Sequence, residues 1–109
     1  MPRIEFETSE HRKAFIDWLS TKVGREEAGF LERTKENHQT HTLYEIWMVN
    51  DEPLIIYRDA RLDIGNTDSV NEALVSERHA SELKTAGVIF DSKVDAVQAP
   101  ERIRLTPFN

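Results

Sequence analysis

The chain has no cysteine among its 109 residues. That excludes a disulfide framework, a thiol nucleophile and any cysteine-based metal site. Only four glycines occur, and no P-loop, G-x-G-x-x-G or G-x-S-x-G can be read, so glycine-loop nucleotide binding and serine hydrolase chemistry are not expected. No apolar run approaches the roughly 18–20 residues of a membrane span. Basic charge is scarce and dispersed: 14 Lys and Arg stand against 20 Asp and Glu, for a net charge of −6. Without a basic stripe, neither nucleic acid nor an anionic membrane is an expected partner. The N-terminal MPRIEFETSEHRK is charged and lacks the apolar stretch of a secretory signal, so the cytoplasm is the expected location.

What is present suits one domain, since a chain of this length buries roughly two-thirds of its unfolded surface. Arg3–Glu7 alternates, with Ile4 and Phe6 on one side, and reads as a short strand. Thr8 or Ser9 then caps a helix in which Phe15, Trp18, Leu19 and Val23 form one apolar stripe. REEAGFLERTKEN also reads as helical, anchored by Phe30 and Leu31, with a break expected near Gly24.

Between Thr40 and Ala60 lie two strands joined by a polar turn: THTLYEIWMV, NDE and PLIIYRDA. After a turn-rich loop, Ser69 and Glu72 have capping-box spacing. A second helix is expected from there, with Val70, Ala73, Leu74, Ala80 and Leu83 as its stripe and Gly87 as its terminator. Arg102–Thr106 alternates and is the candidate last strand, while residues 88–100 read equally as strand or loop.

The resulting β-α-β-β-α-β order predicts an α+β, ferredoxin-like domain: a four-stranded antiparallel sheet with both helices on one face. An even-numbered turn would pair Val49 with Leu54, Trp47 with Ile56 and Glu45 with Arg58, all sharing a face with His41 and Leu43. The other face carries Thr42, Tyr44, Ile46 and Met48 beside Ile55, Tyr57 and Asp59. Being nearly free of charge, the Tyr44 face is expected to lie under the helices. The Trp47 face would then be bare, and a patch of that kind calls for a second copy of the chain. A homodimer with its sheets face to face is therefore expected.

The runs Arg25-Glu26-Glu27-Ala28, Glu45-Ile46-Trp47-Met48 and Leu54-Ile55-Ile56-Tyr57 resemble a family of small uncharacterised bacterial proteins of the dimeric α/β-barrel type. The similarity extends over about residues 10–60. It implies a dimeric barrel whose interior, in that superfamily, hosts cofactor-free monooxygenases, sugar mutarotases or haem-handling proteins. The His and Tyr pattern of the mutarotases has no match around His11.

His41, Glu45 and Trp47 fall on one strand face, with Tyr57 and Arg58 on the neighbouring strand. These five are the candidate ligand-binding residues for a small organic molecule held between sheet and helices. A catalytic alternative gives Glu45 or His41 the proton-carrying role and lets Arg58 steady developing negative charge, as in an isomerase or oxygenase. The plain alternative is a cross-strand ion pair in a dimerisation module. His38-x-x-His41 supplies at most half of a zinc site, so no metal is expected, and no cofactor is called for.

Overall fold

The first helix starts as its cap residue directs. Thr8 is extended and accepts a hydrogen bond from the His11 N–H, and helix α1 runs Ser9–Gly24. It follows strand β1, Pro2–Glu5. In this computed structural model, which describes residues 1–88 and the strand at 93–96, α1 ends in a Schellman-type arrangement. Glu26 takes the left-handed conformation (φ 60°), Glu26 N–H donates to the Val23 carbonyl at 3.0 Å, and Glu27 N–H donates to the Lys22 carbonyl at 2.8 Å. The break expected near Gly24 is therefore real, but no second helix follows it.

Instead the chain forms strand β2, Ala28–Arg33, then β3, Thr42–Val49, and β4, Glu52–Asp59. A 3-10 turn at Thr67–Ser69 leads into β5, Val70–Leu74, and helix α2 occupies only Glu77–Thr85. A short β6, Lys93–Ala96, pairs with β1. The strands make one six-stranded sheet in the order β2-β3-β4-β5-β1-β6, with every neighbouring pair antiparallel.

This overturns the ferredoxin-like, four-stranded β-α-β-β-α-β fold and the dimeric α/β barrel built on it. Two segments expected to be helical are strands, and each carries a β-bulge. In β2, Phe30 faces Trp47 and Glu32 faces Ile46, which leaves Leu31 as the extra residue. In β5, Val70 faces Arg58 and Glu72 faces Tyr57, which leaves Asn71 as the extra one. A bulge puts residues three apart on one face. Phe30 and Arg33, or Val70 and Ala73, thus acquire the spacing of a helical stripe while the backbone is extended. The supposed capping box at Ser69 and Glu72 belongs to the end of the 3-10 turn and to β5. The true cap of α2 is Ser76, whose hydroxyl accepts from His79 N–H at 3.1 Å. Gly87 does terminate that helix, with φ 74°. The candidate strand Arg102–Thr106 lies outside the described residues.

The hairpin turn is two residues long. Asn50 and Asp51 both have positive φ (49° and 65°), the requirement of a type I′ connection. Val49 pairs with Glu52, Trp47 with Leu54, Glu45 with Ile56 and Leu43 with Arg58. The register is shifted by two from the expected pairing, so the alternation of faces survives.

Their orientation is the reverse of that expected. Val49, Leu54 and Ile56 pack in the main core with Phe15 and Leu19 of α1 and Ala80 and Leu83 of α2, with Trp47 at its margin. The opposite face holds a second cluster of Tyr44, Ile46, Ile55 and Leu74, each no more than 7% exposed within the single chain. Neither face of β3 and β4 leaves the bare apolar patch that called for a second copy. No helix among the described residues is long and apolar enough to cross a membrane.

Candidate functional site

On the helix-facing side of the sheet, Glu45 is 2% exposed, so its carboxylate depends on neighbouring donors for stabilisation. Strand register supplies them from both sides. Arg58, diagonal to Glu45 on β4, donates from Nε to Oε1 at 2.7 Å. Arg33, directly opposite on β2, donates to Oε2 from Nε at 3.1 Å and also from Nη2. The Leu31 bulge is what turns Arg33 to this face. Arg58 is itself buried, and its Nη1 donates to the Ser69 hydroxyl at 2.8 Å, which in turn donates to the Asn66 carbonyl at 2.8 Å. Two guanidiniums around one carboxylate leave a surplus of one positive charge. Among the described residues no acceptor reaches Arg58 Nη2.

Beside this network, α1 and the sheet border an open cleft of about 310 Å³ lined by Ile16, Leu19, Ser20, Val23, Trp47 and Arg58. That is at the lower end of the roughly 300–1,000 Å³ typical of ligand pockets. Its walls are hydrocarbon and indole apart from the Ser20 hydroxyl and the Arg58 guanidinium. The Trp47 ring is held edge-on by Phe30, centroids 5.4 Å apart. Its Nε1–H is buried without an acceptor among the described residues.

Of the five residues expected to form a ligand site, the fold gathers Glu45, Trp47 and Arg58. Tyr57 points to the other face and packs against Tyr44 at a tilt, with ring centroids 4.6 Å apart. His41 is exposed, at the mouth of β3 in a left-handed conformation (φ 57°), which breaks the alternation that placed it beside Glu45. It lies near Asp59, whose carboxyl is lowered to about 2, chiefly by hydrogen bonds from Arg61. His38 is exposed and its Nδ1 meets Glu36 at 2.8 Å. Among the described residues no three metal-ligating side chains converge.

The residues that reading missed are Arg33, Ser69 and the α1 wall. Gly24 and Gly29, both interrupting the supposed helix, were the signal that could have released Arg33 into a strand. The α1 wall is the continuation of a stripe already visible in Phe15, Leu19 and Val23.

A second buried cluster joins the helices. Lys22 Nζ meets Glu82 Oε1 at 2.6 Å, and Trp18 Nε1 donates to the same oxygen at 3.1 Å. These donors lower the Glu82 carboxyl below its ordinary value, Lys22 first. His79 packs against the Trp18 ring, fully buried, with neither ring nitrogen hydrogen-bonded. Burial pushes its pKa below the usual histidine value.

Comparison with family models, with curated proteins and with solved structures finds no match to this chain.

Proposed function

We propose that the protein binds a small organic molecule in the cleft between α1 and strands β3 and β4. The observation that carries this reading is an apolar cleft with a guanidinium of fixed orientation in its wall. Arg58 is held through Nε by Glu45 and through Nη1 by Ser69, yet Nη2 has no acceptor among the described residues. A donor fixed in advance costs little side-chain entropy on binding, and the surrounding Ile16, Leu19 and Val23 offer contact area for an apolar body. Both oxygens of Glu45 accept from arginines, so its role in this reading is to hold Arg58 rather than to carry a proton.

Ser20 is exposed on α1 at the lip of the cleft, so Ser20→Trp fills the space with little effect on the core. A thermal-shift screen of small metabolites against wild type and Ser20→Trp tests the reading. Compounds that raise the melting temperature of the wild type and leave the variant unmoved support it. Equal shifts in both proteins refute it.

A further inference from the structure

The geometry points to a ligand class: a monocarboxylate with a short apolar body, its carboxylate on Arg58 Nη2 and its hydrocarbon against Ile16, Leu19 and Val23. This inference rests on the cleft being a binding site, as proposed above, and adds the chemistry of what enters it. Three observations lead there.

The first is the donor inventory. Arg58 brings five N–H groups; Nε goes to Glu45 and Nη1 to Ser69 and, at 3.5 Å, to the Asn66 carbonyl. What is left over at Nη2 is donor only. The Trp47 ring lines the same wall, but its N–H is buried away from the cleft. Among the described residues of the lining, the Ser20 hydroxyl is the one side-chain acceptor. A ligand with donors of its own, an amine or a guanidine, would bring donors to donors.

The second observation is charge. Arg33, Glu45 and Arg58 sum to one net positive charge, inside a protein whose total is −6. A single negative charge matches that surplus. A phosphate dianion would leave one charge uncompensated and would find fewer donors than such groups take, because among the described residues the lining offers it Arg58 Nη2 and the Ser20 hydroxyl.

The third is shape. About 310 Å³ lined mainly by Ile16, Leu19, Val23 and Trp47 matches a branched aliphatic or single-ring body, with any larger portion left in solvent. The apolar lining beside Arg58 also lowers the local dielectric, which strengthens a charge-assisted hydrogen bond there.

The test uses the full chain with Trp18→Phe, so that Trp47 is the lone tryptophan reporter, and follows titrations by fluorescence and calorimetry. Three bodies are each offered as acid, amide and amine: hexanoate, 4-methylpentanoate and phenylacetate with their neutral and cationic counterparts. Hexyl phosphate is a further probe. The expected result is that at least one carboxylate binds, its amide is weaker by roughly 10–100-fold, the value of a hydrogen bond to a charged group, and its amine does not bind. Ser20→Trp, followed by calorimetry because it adds a tryptophan, abolishes that binding. Amide or amine binding as tightly as the carboxylate, or hexyl phosphate binding more tightly than hexanoate, while remaining sensitive to Ser20→Trp, overturns the carboxylate inference and leaves the cleft as a site. No binding by any probe, or binding indifferent to Ser20→Trp, overturns both.

Discussion

Two buried ionisable groups, Glu45 and His79, are treated in opposite ways. Glu45 is surrounded by donors from Arg33 and Arg58, and the second arginine is anchored in turn on Ser69. His79 is at least as deeply buried and receives no hydrogen bond at either nitrogen. The difference lies in what each side chain can do when desolvated. The carboxylate is held in place with counter-charges built around it, at the cost of burying arginine. An imidazole simply sheds its proton and packs as a flat, nearly apolar ring against Trp18. A buried charge therefore commits its neighbours, whereas a buried neutral histidine commits none.

The largest break in that comparison comes from Glu45→Gln. Removing one partner of a buried ion pair leaves the other stranded, which costs about 3–5 kcal/mol. Arg33 is 46% exposed and can turn to water, so the lower end, about 3 kcal/mol, is expected, arising mostly from Arg58. Urea denaturation of variant and wild type measures it. The double variant Glu45→Leu/Arg58→Met restores much of the loss while leaving the cleft without its guanidinium. A Glu45→Gln protein as stable as wild type would show that the network is not committed in the sense argued.

That network also marks how far the sequence could be read. Helix α1 with its Thr8 cap, the β3–β4 alternation and the contact between Glu45 and Arg58 were all legible, because each rests on a local pattern. Two things were not. The bulges at Leu31 and Asn71 give extended strands a three-residue spacing, and β5 is covered on both faces, so neither strand shows the simple alternation of a half-wet one. The choice of inner face failed for a different reason. Tyr44, Ile46 and Met48 looked inward because they carry no charge, yet it is the face with Glu45 and Arg58 that lies under the helices. Paired charges are compatible with burial, and the second cation of the set, Arg33, was hidden in a segment taken for helix.

His79 offers the next largest effect. With its native pKa lowered by burial, the unfolded chain binds more protons than the folded one below the ordinary histidine value of 6.5. The stability this neutral ring supports is complete above that value and is lost as pH falls through the lowered native one. Glu52 and Glu82 oppose the shift, while Arg78 and Lys22 add to it. His79→Leu should flatten the fall in melting temperature below pH 6.5. At pH 7.5 it should gain roughly 1 kcal/mol by removing two unpaired ring nitrogens. An unchanged pH profile would mean that protonated His79 finds Glu82 or Glu52 at no cost.

Glu72 sharpens the comparison from between the two extremes, with the smallest effect. It stands directly across from Glu5 in the β1–β5 ladder, and like charges in that position repel. The cation between them, Arg3, is at 2.9 Å from Glu5 and only 4.0 Å from Glu72. Burial, more than Glu5, raises the Glu72 carboxyl above its ordinary 4.5, against the pull of Arg3. A raised native pKa means the folded state favours the protonated form. Its contribution is fully present below 4.5 and is lost as pH rises through the native value, so at pH 7 the ionised carboxylate is a small burden. The side chain is about a third exposed, and water screens most of the effect. Glu72→Gln is therefore expected to stabilise by only ~0.3 kcal/mol at pH 7, with the gain vanishing below about pH 4. A loss of stability at neutral pH would instead make Glu72 a genuine ionic partner of Arg3, placing it with Glu45 among the charges the fold is built around.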